Sequence, residues 1–231
     1  MEDMQHQAMG YDRAAQTFSP EGRILQVEYA DKTVRLGSAS IGMVCKDGVV
    51  LVSDKRHKDK LVVESSINKI AEIDEHIITV AAGIVSDARV LVDKARVIAQ
   101  QHRVTYDSEI SVESVSKEIA DIKQQYTQYG GARPYGVSLM IAGFDNSPKL
   151  FTTDVFGSYW EYKANAIGEN DEKMKEKLRQ EYKQEMTCEE GVKLALKIFK
   201  EVEAENFDKN RLDVGIMKSD KKLVRKKGSD F

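Results

Sequence analysis

The chain has 231 residues, 32% of them charged, yet a formal net charge of only −3. That balance gives no overall bias toward nucleic acid or an anionic membrane, and the length suits one generous domain with a real core. The two cysteines, Cys45 and Cys188, belong to no CxxC pair, which argues against a disulfide framework or a zinc site. There is no N-terminal apolar run of signal-peptide type and no stretch long enough to span a membrane, so a cytoplasmic protein is expected.

Residues 1–18 carry no helical or strand period and are expected to be a mobile segment. Ser19-Pro20-Glu21 then has helix-start chemistry. Ser19 can cap, Pro20 suits a first helical position, and Glu21 lies near the positive end of the helix dipole. The pattern predicts a leader helix over 19–31, with Ile24, Leu25 and Val27 on its apolar side. The stretch 19–231 reads as a single domain.

"SIGMVCKDGVVLVSD" places two apolar runs around Lys46-Asp47-Gly48, a hairpin signal. Val49 to Val52 are apolar without alternation, which predicts a strand covered on both faces. "INKIAEI" and "HIITVAAGIV" predict two more strands turning at Asp74 and Glu75. Ala88, Leu91, Val92, Ala95, Ile98 and Ala99 then follow helical spacing, with Ser86 as N-cap. A second stripe runs through Val112, Val115, Ile119, Ile122, Tyr126 and Tyr129. "YGVSLMIAGF" and "PKLFTTDVFGSYWEY" return to strands through a turn at Asp145 to Pro148. Helices over Asp171 to Tyr182 and Cys188 to Glu203 follow, and "RLDVGIMK" with "KKLVRK" makes a last hairpin. Strands buried on both faces need two covering layers. The expected class is α+β, a four-layer α-β-β-α sandwich of two antiparallel sheets flanked by helix pairs.

No metal or cofactor is expected. His6, His57, His76 and His102 show no ligand spacing and read as surface residues. "GSASIG" fails the GxSxG spacing, and "YGGARPYG" lacks the GK[ST] of a phosphate-binding loop. The basic run "KKLVRKK" reads as a solvated strand in preference to a phosphate-binding arm.

One arrangement carries chemistry. Ser38 opens the first strand, Asp54 ends the second and Lys69 opens the next. A hydroxyl at a strand start near a carboxylate and an ammonium is the layout of an N-terminal-nucleophile hydrolase. There the residue's own α-amino group is the general base for its hydroxyl. Ser38 follows 37 residues, so its nitrogen is an amide and cannot accept the proton. Either the leader is a propeptide removed at Gly37, or it is kept for another task. The ordered helix in the leader favours retention.

"GYDRAAQTFSPEGRILQVEYA", Gly10 to Ala30, resembles the N-terminal signature of proteasome α subunits. The likeness continues through "GSASIGMVCKDGVVLVSDKR", "SSINKIAEID", "AAGIVSDARVLVDKAR", "QYTQYGGARPYGVSLMIAGFD" and "LDVGIM", and its style is that of the archaeal type. The resemblance implies the sandwich already inferred, assembled into seven-membered α rings. Such rings cap two rings of β subunits, whose threonines cut unfolded proteins in transit. The α-type chain keeps its leader, so Ser38 is disabled; the rival on the same fold is a self-processing β-type peptidase using Ser38.

Matched residue by residue, Tyr11, Asp12 and Arg13 correspond to the gate motif, and Pro20 and Tyr29 to its partners in the open-gate cluster. Lys69 corresponds to the lysine that pairs with the C-terminal carboxylate of an activating AAA ATPase ring, in a pocket that Gly83 lines. Tyr129, Gly130, Gly131, Ala132 and Arg133 correspond to the loop of the ring's inner constriction. The chain departs from the family pattern at Asp31, where an Arg is usual, and at Thr33, where a small Ala is usual.

Overall fold

The computed structural model describes residues 9–56, 61–63 and 66–231. Residues 1–8 of the expected gate segment, with His6, and also His57, lie outside the described residues.

The first hairpin sets the layers. β1 (Ser40–Cys45) and β2 (Gly48–Asp54) pair antiparallel from Ser40↔Ser53 to Cys45↔Gly48, with Lys46 and Asp47 making the turn. Every residue of β2 is buried. Side chains alternate along a strand, so Val50 and Val52 face one apolar layer while Val49 and Leu51 face another. Two-sided burial is the reason the run lacks alternation.

Around this hairpin the chain runs as α1 (Leu25–Leu36), β1, β2, β3 (Ile70–Asp74), β4 (Ile77–Gly83), α2 (Val85–Tyr106) and α3 (Val112–Tyr126). It continues with β5 (Val137–Phe144), β6 (Pro148–Thr153), β7 (Tyr159–Glu161), β8 (Ala164–Ile167), α4 (Asp171–Glu181), α5 (Cys188–Glu203), β9 (Leu212–Lys218) and β10 (Leu223–Lys227). The strands form two antiparallel five-stranded sheets, ordered β10-β9-β2-β1-β8 and β3-β4-β5-β6-β7.

Three apolar layers hold the stack. Met174 and Leu178 of α4 and Val192, Ile198 and Phe199 of α5 cover the first sheet against Ile41, Met43, Val50 and Val52. Leu91, Ala95 and Ala99 of α2 and Val115 and Ile119 of α3 cover the second against Ile77, Leu139 and Ile141. Between the sheets lie Val49, Leu51, Ile78, Val80, Met140 and Leu150, joined by Val27, Ala30 and Val34 of α1. Each fully buried side chain of this size contributes about 1.5–3 kcal/mol. The expected four-layer sandwich is the fold, and the leader helix packs into the seam between its sheets.

Several boundaries differ from the expectation. The leader helix spans Leu25–Leu36 and not 19–31. Ser19 to Gly22 instead make a β-turn, with the Gly22 N–H donating to Ser19 O at 2.8 Å, Pro20 at its second position and Gly22 at φ +75°. Proline's fixed torsion suits that position as well as a helix start. Ser86 is not an N-cap, because α2 begins at Val85 with Ile84 in the N-cap position, two residues earlier than expected. α3 ends at Tyr126, so Tyr129 leaves the stripe and is 59% exposed. "PKLFTTDVFGSYWEY" folds as two strands, β6 and β7, around a turn at Asp154, and β8 was not anticipated. His76 is not a surface residue. It is fully buried, with Nε2 2.7 Å from Ile110 O, which ties the turn after β3 to the entry of α3.

Candidate functional site

The position of a hydrolase nucleophile lies at the foot of α1. The helix ends at Gly37, whose N–H donates to Val34 O. A side chain there is excluded, since a Cβ would lie 2.3 Å from the Gly83 nitrogen. The Gly37 carbonyl accepts from Glu169 N at 2.8 Å. Ser38 follows, peptide-bonded to Gly37, and Lys69 reaches it from the other sheet. The Lys69 ammonium donates to Ser38 Oγ at 2.6 Å and to Ser38 O at 3.1 Å. Burial pushes Lys69 down to about 8; Asp54 opposes the shift and Arg56 adds to it.

Asp54 is committed elsewhere. Its fully buried carboxylate accepts from Arg211 Nε at 2.5 Å and Nη2 at 3.0 Å, and Arg56 Nε stands 3.3 Å away. Arg56 also pairs with Glu169 at 2.5 Å and Glu203 at 3.2 Å, while Arg211 reaches Glu203 at 3.1 Å. Burial raises the Glu203 carboxyl, and neighbouring Asp54 adds to that; the two arginines oppose it. Three carboxylates and two guanidiniums thus form a nearly closed network behind Ser38. Bonded to Gly37, Ser38 has no α-amine of its own; the amine beside its hydroxyl is that of Lys69, and the Asp54 carboxylate is bound to arginines. This arrangement orders a backbone joint and lacks the α-amino base that an N-terminal nucleophile uses.

Of the residues expected to form the gate, Tyr11, Asp12, Arg13 and Pro20 lie ahead of α1 and Tyr29 lies within it. Tyr11 and Asp12 are half-buried, and Arg13 and Pro20 are exposed. Gln26 Nε2 donates to Asp12 O, which fastens this segment to the helix. Arg23 joins Glu28 through a guanidinium–carboxylate pair, with Nε to Oε1 at 2.8 Å. Tyr29 is half-buried with Lys32 Nζ 5.2 Å from its ring centroid. Asp31, a departure from the family pattern, pairs with Arg35 at 3.1 Å. Thr33, the other departure, donates to Ala30 O at 2.7 Å and lies 2.9 Å from Gly136 O. Its hydroxyl stands only 2.5 Å from where a Cβ on Gly136 would sit, so the two positions fit as a pair.

The predicted constriction loop follows α3. Tyr129 N donates to Gln125 O at 3.2 Å, Gly131 takes φ +81°, and a Cβ on Gly130 would meet Gln16 Nε2 at 3.3 Å. Ala132 is half-buried, and Arg133 closes the loop onto Asp87 at the start of α2. Gly83 is forced to be glycine by the fold itself: φ is +119°, and a Cβ would lie 2.2 Å from Gly136 O. Through Gly37 and Ser38, Gly83 and Lys69 meet the same joint. Arg56, Arg211, Glu203 and Asp87 escaped the sequence reading, because their partners lie far along the chain, 157 residues in the case of Asp54 and Arg211. Among the described residues, no group of three or more His, Cys, Asp or Glu side chains gathers to hold a metal ion, and no helix is long and apolar enough to cross a membrane.

The two-sheet sandwich with a leader helix packed ahead of Ser38 defines a chain of the N-terminal-nucleophile hydrolase fold. The proteasome subunit family pattern matches residues 34–217, and the N-terminal signature pattern of A-type proteasome subunits matches residues 11–32. The chain is 49% identical over 220 residues to the proteasome alpha subunit of Methanococcus maripaludis strain C5, covering 95% of this chain and 85% of that one. It is 52% identical over 203 residues to the proteasome alpha subunit of Methanocaldococcus jannaschii, covering 86% and 78%. To that of Archaeoglobus fulgidus it is 47% identical over 218 residues, covering 94% and 88%. The chain belongs to the proteasome subunit family, as an α subunit of the 20S core and a non-catalytic part of a protein-degrading complex. The rival reading, a self-processing peptidase on Ser38, is set aside by the α-type leader.

Proposed function

We propose that this subunit forms the outer seven-membered ring of the core, gates the entry of unfolded proteins through its N-terminal segment, and docks an activating AAA ATPase. It works in the cytoplasm. The observation that carries this reading is the leader itself: Val27, Ala30 and Val34 bury it in the seam between the sheets, and Gln26 holds Asp12 at its outer side. A helix so placed is a fixed base from which a tail can extend over a ring axis. Lys69 supplies the cation for a docked C-terminal carboxylate, and Tyr11, Asp12 and Arg13 with Pro20 and Tyr29 supply the gate. The loop Tyr129 to Arg133 narrows the channel beneath.

Ordering a tail costs roughly 1–2 kcal/mol per residue of backbone freedom, so a closed state persists until a partner favours another arrangement. Electron microscopy should show seven-fold rings for both the wild-type chain and Lys69→Ala. The variant should lose stimulation of degradation by the ATPase. Equal stimulation of both would overturn the docking role, and an absence of rings from the wild-type chain would overturn the ring assignment.

A further inference from the structure

Lys69 is not a free cation awaiting a ligand. Its ammonium already has two acceptors on one residue, Ser38 Oγ at 2.6 Å and Ser38 O at 3.1 Å. An ammonium has three donors and no acceptor, and a half-buried one that loses partners carries a desolvation cost well above that of a neutral group. The other strong charge nearby, Asp54, is occupied by Arg211 and Arg56 and does not bond the ammonium. In the unliganded protein, then, a neutral hydroxyl and a carbonyl hold Lys69.

We propose that carboxylate docking at Lys69 is an exchange reaction, in which the incoming carboxylate displaces the Ser38 hydroxyl, so that Ser38 is a positioning residue that sets the docking affinity. The proposal rests on the docking reading given above. A carboxylate oxygen carries a full charge and makes a shorter, stronger bond to an ammonium than a hydroxyl dipole does, so the exchange runs toward the ligand.

The exchange has a structural consequence because of where Ser38 sits. It is one residue beyond the end of α1, and Gly37 is locked between Gly83 and the Glu169 N–H. Displacing the Ser38 hydroxyl from Lys69 removes one of the ties that join the second sheet to this joint, beside the Lys69 bond to Ser38 O and the packing of Gly37 on Gly83. The serine that cannot act as a nucleophile thus has a separate use, holding the pocket cation against the foot of the leader helix.

The test uses assembled rings of the full-length chain and a short labelled peptide ending in a free α-carboxylate, with the same peptide amidated as control. Wild-type rings should bind the carboxylate form more tightly than the amide. Ser38→Ala should bind the carboxylate form about three- to ten-fold more tightly than wild type, since a hydrogen bond to a charged group no longer has to be given up. Ser38→Thr, which keeps the hydroxyl, should restore wild-type affinity. Ser38→Gly, which also lacks the hydroxyl, should tighten binding as alanine does, and it serves if the alanine variant does not fold. If wild type prefers the carboxylate but Ser38→Ala and Ser38→Gly bind it equally or less tightly, the exchange is overturned while docking stands. If wild type does not distinguish carboxylate from amide, the docking reading itself falls.

Discussion

Arg133 and Asp87 meet through two parallel hydrogen bonds, Nη1 to Oδ2 at 2.6 Å and Nη2 to Oδ1 at 2.7 Å. The same carboxylate accepts from Gly136 N at 3.0 Å. One acidic residue in the first turn of α2 therefore fixes both ends of the segment 133–136. The arginine of the expected constriction loop is a strut for that loop.

This pair gives an acid-side prediction. Burial alone would raise the Asp87 carboxyl, but the Arg133 bond and the Gly136 amide hold it below the ordinary value. A depressed carboxylate stabilises the fold above its unfolded pKa, near 3.9, and that stability is lost as pH falls through the folded pKa. Asp87→Ala should cost about 2–3 kcal/mol at pH 7, chiefly from the orphaned Gly136 N–H, in urea unfolding. Arg133→Ala should cost about 1 kcal/mol or less, because its guanidinium is 59% exposed and screened. Equal costs for the two variants would contradict this division.

Lys123 gives a second pH dependence, on the alkaline side. It is fully buried in α3, and its ammonium donates to Val137 O at 3.0 Å, Thr153 O at 3.3 Å, Thr153 Oγ1 at 2.7 Å and Asp154 O at 3.2 Å. Burial pushes it down to about 7, with Asp154 pulling back. Between that value and the unfolded lysine pKa near 10.4, the unfolded chain binds more protons than the native one. Stability from this group therefore rises with pH across that window, and the burial penalty is fully present below it. The stability difference between wild type and Lys123→Met, measured by urea unfolding from pH 7 to 10, should move in favour of wild type. A flat difference would show that Lys123 titrates normally.

Carboxylate docking should carry its own pH signature. Only charged Lys69 attracts a carboxylate, and burial has brought its pKa to about 8, with Asp54 and Arg56 the charged neighbours. Below that pH the cation is present without cost. Above it, a proton must be taken up with the ligand, so affinity for a carboxylate-ended peptide should fall about ten-fold per pH unit from about pH 8. An affinity flat to pH 10 would mean that the pocket cation is an ordinary lysine.

Most layers were legible in the sequence, and the exceptions have physical causes. α5 falls on the predicted residues Cys188–Glu203 because Thr187 and Glu190 form a capping box and the apolar stripe is unbroken. The leader helix was displaced because Pro20 and Gly22 satisfy a β-turn as readily as Ser19 and Pro20 suggest a helix start. β8 has four residues and forms only by pairing with β1, so no local pattern announces it. Ser38 and Lys69 were placed together by sequence reasoning, and they do touch. Asp54 was placed with them, yet it belongs to Arg211 and Arg56, a choice made by chain folding over long separations. Thr33 read only as a departure from a pattern until Gly136 supplied its partner.

The central claim is that the segment ahead of α1 is a gate on a non-catalytic ring. It is tested most directly by reconstituting particles from catalytic β subunits and either the full chain or a chain lacking residues 1–12, then measuring hydrolysis of a short fluorogenic peptide without activator. The shortened chain should give several-fold faster hydrolysis from particles of the same size. An unchanged rate from intact particles would contradict it.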